Sequence, residues 1–345
     1  MKFFQDAVEV AFTGLKHTFT VSSVFCEFSI GGRDYSIKWY GVIIAFGFIL
    51  AALYGGRRAY TWHMDIGKML DILFFGTIGG VLGARIYYVI FRWEYYSVHL
   101  SEIFKVWHGG LAIYGGVIGG LIAAFITSKV IKLNFMNLLD LAGMSFLIGQ
   151  GIGRWGNYAN QEAFGVNTDS PFGMISAKTT RYILVHQSEL PGVDPFKPVH
   201  PTFLYESVWC LLGFLVLYLI FKKGRRFSGE IFLSYLIWYG AERAVVEGLR
   251  TDSLYFAGTD IRVSQALAAV GAVAAFAALI ILEIKFRKNP KPVEGQDYYI
   301  EPEPFFKFEK KRAKGAPGEK IPITDKFKDE TEKPDGNDSG RISDK

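Results

Sequence analysis

Five charged side chains stand inside long apolar runs of this chain: Arg85, Arg154, Glu206, Arg243 and Glu247. A charge in hydrocarbon is costly, so such residues face a protein interior or a watery cavity and commonly mark a site. Guanidinium groups in that setting suit an anion, because they offer planar forks of N–H donors that never deprotonate. Arg243, Glu247 and Arg250 lie at i, i+4 and i+7 on one helical face, so an ion pair that only braces the helix is the alternative reading. Tyr40, Tyr114 and His200 add hydroxyl and imidazole groups able to give or take a proton.

These residues need elements to hold them. The chain has 345 residues, half of them hydrophobic, with 30 Phe, 18 Tyr and 7 Trp, and its mean hydropathy is +0.20. A single water-excluded core could not hide that much apolar surface, so the solvent to reason with is a bilayer. Apolar length predicts an all-α polytopic membrane protein of about seven transmembrane helices, near 38–55, 71–91, 108–128, 138–157, 203–221, 230–249 and 265–285. Basic clusters fall at Arg57 and Arg58, at Lys129 and Lys132, at Lys222 to Arg226, and at Lys285 to Lys288. They occupy every second junction, which by the positive-inside bias puts the N-terminus outside and the C-terminus in the cytoplasm. With that orientation Tyr40, Tyr114, Arg154, His200, Arg243 and Glu247 all reach the outer half of the bilayer. Chance would scatter them over both halves.

The expected organisation is an outer N-terminal segment (1–37), a transmembrane catalytic domain (38–285) with an outer loop at about 159–200, and a disordered cytoplasmic tail (286–345) rich in Lys, Glu, Asp, Pro and Gly. Loops as long as 159–200 are usually functional or mobile. The start, MKFFQDAVEVAFTGLKHTF, is broken by Gln5, Asp6 and Glu9 and does not read as a cleavable signal. The net charge of +5 is spread in short runs between spans, which speaks for topology and against nucleic acid. Cys26 and Cys210 lie too far apart in the topology for a disulfide, and neither has the Cys/His company of a metal site. Recurrent glycines in GTIGGVLGAR (76–85) and GGLAIYGGVIGG (109–120) read as close helix packing.

Five motifs resemble those of the prolipoprotein diacylglyceryl transferase family: IKWYG (37–41), WHGGLAIYGG (107–116), GQGIGRWGNYANQEAFG (149–165), HPTFLYE (200–206) and GAERAVVEGLR (240–250). The resemblance runs in order from about residue 28 to 285. It implies an enzyme of the bacterial cytoplasmic membrane that moves the diacylglyceryl group of phosphatidylglycerol to the lipobox cysteine of a prolipoprotein signal peptide, leaving a thioether and glycerol phosphate. By position in the motifs, the phospholipid-binding arginine falls on Arg154, with Asn157 and Gly165 following. The second essential arginine falls on Arg243, its acidic partner on Glu247, and the aromatic of the first span on Tyr40; Arg85 joins the lipid-binding set. The nucleophile is the substrate's own sulfur, so the resemblance implies neither cofactor nor metal.

Two departures stand out. Tyr114 occupies a place where some members have histidine, so the proton acceptor for the thiol is left among Tyr114, His108, His200 and the departing phosphate. Gln161 stands where the resemblance leads one to expect glycine in an Asn-Gly-Glu run. The rival reading from another class is a transporter or channel for an anionic solute, which should show paired halves or interrupted helices around a midplane site. A packing or scaffold subunit would explain the glycines and not the buried charges.

Overall fold

The computed structural model describes residues 7–15, 17–256, 258–291, 293, 298–300 and 320–322. Its frame is a set of long helices running back and forth: α1 (Trp39–Thr61), α2 (Ile66–Phe91), α4 (Ile113–Val130), α5 (Phe135–Asn160), α7 (Thr202–Phe221), α8 (Glu230–Val246) and α9 (Val263–Lys288), with short α3 (Trp93–Tyr96) and α6 (Ala177–Val185) outside them. Six of these, all the long ones except α8, have the length and apolarity to cross a membrane. The remaining one, α8, has 17 residues and spans about 25 Å at 1.5 Å per residue.

Helix bounds differ from the sequence expectation where capping and backbone geometry override apolar length. Asp65 and Asn134 accept hydrogen bonds from the backbone N–H groups of Lys68 and Met136, and so start α2 and α5 several residues before their apolar stretches. Gly109 and Gly110 take φ of +83° and +73°, which delays the third span from 108 to Ile113. The arginines at 57 and 58, expected at a junction, belong to the last turns of α1.

Packing follows side-chain size. Long helix α5 lies against α1, α7 and α8, while α2 pairs with α4 and α8 with α9. Between α2 and α4 the backbones approach so closely that a Cβ on Gly119 would come within 2.3 Å of the Gly79 carbonyl oxygen, and one on Gly83 within 2.4 Å of that of Gly115. At the far end of the bundle Asp140 of α5 accepts from the N–H groups of Gly229 (2.8 Å) and Phe232 (3.0 Å), capping α8 from a neighbouring helix. Arg225 pairs with the same carboxylate at 3.3 Å and lies over the Trp62 ring at 3.7 Å. This network fixes the start of α8, whose other end carries Arg243 and Glu247.

Outside the helices the chain forms strands that helical periodicity did not reveal. Strand β3 (Val24–Ile30) and β4 (Arg33–Lys38) make a hairpin turning on Gly31 and Gly32, both at positive φ, and β4 runs straight into α1. Strand β1 (Val8–Phe12) pairs antiparallel with β2 (Thr18–Val21) on one side and with β5 (Met174–Ser176) on the other. The 159–200 segment therefore folds onto the N-terminus. Val10, Phe164, Met174, Ile183, Val199 and Phe203 form a second apolar core there, and Ser176 begins α6 with a capping box. The expected tail lies largely outside the described residues, which include from it the end of α9 and the paired strands β6 (Tyr298–Ile300) and β7 (Lys320–Pro322).

Candidate active site

The end of the bundle where α5 finishes gathers charge around one carboxylate. Glu206, in the second turn of α7, is fully buried. Its Oε2 takes Arg154 Nη2 from α5 and Arg243 Nη1 from α8, the latter at 3.2 Å, while Oε1 faces Arg250 Nη1 at 3.5 Å. Arg243 also reaches Glu247 Oε2 with Nη2 at 2.5 Å, and Arg250 holds Asp252 in a two-bond fork of 2.9 and 2.7 Å. A buried carboxylate without partners would cost several kcal/mol, and three guanidinium groups offset that cost. All three arginines remain partly accessible, with side chains 11 to 19 % exposed, so N–H donors are left for an incoming anion.

Backbone placement explains how distant segments reach this point. Gly165 sits where a Cβ would meet both His200 Cβ and the Leu249 carbonyl oxygen at 2.8 Å. Its N–H donates to the His200 carbonyl (2.9 Å) and the next N–H, of Val166, to that of Leu249 (2.9 Å). Gly165 thus lets the segments carrying His200 and Arg250 close on the end of α5. The end of α8 is satisfied by side chains, Arg262 donating to the Glu247 carbonyl and Gln265 Nε2 to that of Ala244 at 2.7 Å.

Of the other expected residues, Asn157, one turn beyond Arg154, donates to Glu162 Oε1 at 3.0 Å. Tyr40 lays its ring on Gly156, where a Cβ would come within 2.9 Å of it. His200 has Nδ1 at 3.1 Å from the Tyr205 hydroxyl, and burial pushes its imidazole pKa below the ordinary value. Tyr114 places its hydroxyl 2.9 Å from Ser264 Oγ at the start of α9. Arg85 spends its guanidinium on the carbonyls of Glu102, Ile103, Lys105, Gly109 and Gly110, organising the connection from α2 to α4. The side chain of His108 lies outside the described residues.

Sequence reasoning singled out Glu206 as a charge inside an apolar run and Arg250 as sharing a face with Arg243, but gave neither a role in the site. The signal was present in HPTFLYE and at the end of GAERAVVEGLR, but a charge among apolar residues does not name its partners. Gln161 is the αL residue that ends α5, φ 55° and ψ 46°, a conformation that costs a non-glycine residue about 1 kcal/mol. A cavity of about 470 Å³ with a mixed lining, Asn157, Gln161 and Arg250 beside Phe164 and Tyr182, opens beside it. A second, apolar cavity of about 490 Å³ is walled by Phe12, Phe19, Trp155, Tyr158 and Phe203.

A family model described as prolipoprotein diacylglyceryl transferase matches residues 27–281. The phosphatidylglycerol–prolipoprotein diacylglyceryl transferase of Listeria welshimeri is 42% identical over 277 residues, covering 80% of this chain and 94% of that protein. Those of Lysinibacillus sphaericus and Staphylococcus haemolyticus are each 40% identical, covering 75% and 76% of this chain and 93% and 89% of theirs. With its apolar helices and a match over most of its length, the chain is a multi-pass membrane protein that belongs to the prolipoprotein diacylglyceryl transferase family.

Proposed function

We propose that this protein transfers the diacylglyceryl group of phosphatidylglycerol to the lipobox cysteine of prolipoproteins, working in the bacterial cytoplasmic membrane with seven spans, its arginine cluster toward the outer face and its C-terminus in the cytoplasm. The observation that carries the reading is the convergence of Arg154, Arg243 and Arg250 on buried Glu206. Glu206 supplies the negative charge the arginines need. A phosphodiester entering between Arg154 and Arg243 shares that role, its oxygens taking paired N–H donors.

The chemistry then has few demands. The cysteine thiol loses its proton, the thiolate sulfur attacks the glycerol carbon, the S–C bond forms, and the C–O bond to phosphate breaks with its electron pair leaving on glycerol phosphate. Charge develops on the leaving oxygen, and preorganised guanidinium groups in a water-poor site stabilise it most at that moment. Arg154 and Arg243 are assigned to the phosphate, Glu247 to holding the second fork of Arg243, and Asn157 with Gly165 to shaping the approach. His200 is assigned as proton acceptor: its Cβ lies against Gly165, on the segment that closes on the end of α5, and burial lowers its pKa from the ordinary value. Tyr40 steadies the turn of α5 that carries Arg154, and Arg85 the connection leading to α4.

Purified protein incubated with phosphatidylglycerol and a lipobox peptide should yield a peptide whose mass has risen by one diacylglyceryl group in thioether linkage. Folded protein that gives no such product would move the weight to anion transport.

A further inference from the structure

The register of the hairpin between β3 and β4 sorts its side chains by chemistry. Residues directly opposite each other in an antiparallel pair share a face of the sheet. The pairs Cys26 with Ile37, Phe28 with Tyr35 and Ile30 with Arg33 fall on one face, and Glu27 with Ser36 and Ser29 with Asp34 on the other. The first face is therefore apolar up to Arg33 beside the turn, and over these pairs the second is polar throughout. Phe28 and Tyr35 stack with ring centroids 5.8 Å apart, and the Ser29 hydroxyl donates to Asp34. Cys26 is buried, yet Ile30, Tyr35 and Ile37 are 65, 47 and 42 % exposed. Single exposed apolar residues need no explanation, but a sheet face made of them marks a contact surface.

The position of the hairpin says what covers that face. Strand β4 ends at Lys38 and α1 begins at Trp39, so no linker separates the hairpin from a helix long and apolar enough to cross a membrane. The Trp39 N–H donates to the Ser23 carbonyl at 2.9 Å, and its ring meets Phe25 edge-on at 4.8 Å. The hairpin is thus held at the depth where α1 leaves the hydrocarbon. Two requirements decide how it lies there. The outer edges of a two-stranded sheet present backbone N–H and C=O groups that hydrocarbon cannot satisfy. The apolar face is the reverse case, since an isolated hairpin is marginal in water and gains by withdrawing that face from it. The interface meets both, with acyl chains under the apolar face, and headgroups and water at the edges and above the polar one. Arg33 at the tip keeps its guanidinium at the wet rim, and Tyr35 and Trp39 are residue types concentrated at this level. We propose that the hairpin lies flat in the membrane interface where α1 begins, with Phe28, Ile30, Tyr35 and Ile37 resting on lipid. Its partner is the lipid surface itself, not a substrate held among the arginines. Tyr40, two residues past β4, lies on Gly156, so this hold on lipid sets the depth of the end of α1 that braces α5. The inference needs α1 to span the membrane and does not depend on the transferase reading.

The test attaches an environment-sensitive fluorophore to single cysteines in a Cys26→Ala, Cys210→Ala background, in nanodiscs of phosphatidylglycerol and phosphatidylcholine. Ile30→Cys and Ile37→Cys report the apolar face, and Ser29→Cys and Ser36→Cys the polar one. Two positions on each face, with thermal midpoints matched to the parent, keep a single misfolded variant from deciding the result. An interfacial element sinks its apolar face about 5–10 Å into the boundary of headgroups and acyl chains, so nitroxides on the acyl chains should quench the apolar-face probes at least about threefold more than the polar-face probes. Iodide in the water should quench in the reverse order. Equal quenching by iodide on both faces, with none from lipid, would stand the hairpin in water and overturn the inference. Apolar-face probes shielded from both quenchers would assign the face to protein, and shielding that appears only with a lipobox peptide would assign it to the substrate; either outcome overturns the inference as well.

Discussion

Arg243 donates to two carboxylates, Nη1 to Glu206 at 3.2 Å and Nη2 to Glu247 at 2.5 Å, and the two roles open to it respond differently to replacement. A residue that only neutralises acids tolerates lysine, and removing Arg243 and Glu247 together should then restore function. A residue that grips phosphate needs the planar pair of donors that lysine lacks. We expect Arg243→Lys to accumulate normally and turn over at least about tenfold more slowly at saturating phosphatidylglycerol, a loss of about 1.4 kcal/mol in transition-state stabilisation. The Arg243→Gln, Glu247→Gln double variant should stay inactive. Near-normal lysine turnover, or rescue in the double variant, would make Arg243 structural. His200 gives a second test at this scale. Burial lowers its pKa, so the neutral, proton-accepting form persists below the ordinary value of about 6.5. Transfer should therefore hold from neutral pH down to about 6.5 and fall only below it, and His200→Gln should lose both rate and that acid limb. An acid limb that survives in the variant would return the proton to another acceptor.

Between elements, the closest approach is that of α2 to α4, where glycines face glycine carbonyls with no room for a methyl group. Such contacts let backbones pack where hydrocarbon provides no hydrophobic drive. The pair also fixes both ends of the connection that Arg85 holds through five carbonyl groups. Gly119→Val should force the helices apart and destabilise by about 1–3 kcal/mol, as overpacking does. Gly56 of α1 has open space around its would-be Cβ, and Gly56→Val should be nearly silent. Thermal unfolding in detergent compares them, and equal midpoints would show that the α2 and α4 contact adapts.

For the whole molecule, the question is which end faces out. Arg58 donates to the Phe221 carbonyl at 3.2 Å, Arg225 lies over Trp62 at 3.7 Å and Arg226 pairs with Glu283 at 2.8 Å, so basic clusters from separate junctions meet at one end, opposite the site. Both cysteines are free and buried, which makes native Cys26 a poor reporter of topology. In a background with Cys26 and Cys210 replaced by alanine, a cysteine at exposed Arg33 should react with an impermeant thiol reagent on intact cells. One at exposed Lys223 should react only after permeabilisation. The reverse pattern would invert the proposed orientation and put the arginine cluster on the cytoplasmic side.

Membrane class, the approximate helices and the charges buried within them were legible in the sequence, because apolar length and charge are local or one-dimensional properties. Motif order pointed to Arg154, Asn157, Gly165, Arg243 and Glu247, and the structure brings these to one end of the bundle with Tyr40 and His200. Partnership was not legible. That Glu206 joins three arginines, and that Arg250 swings back to meet it, depends on Gly165 allowing two strands of chain to close on α5, a contact between segments far apart in sequence. Arg85 and Tyr114 looked equivalent to the other polar residues, and only packing directed one to loop carbonyls and the other to Ser264. The pairing of β1 with β5 escaped because β5 lies more than 150 residues later, and pairing at that distance leaves no periodic mark on either segment.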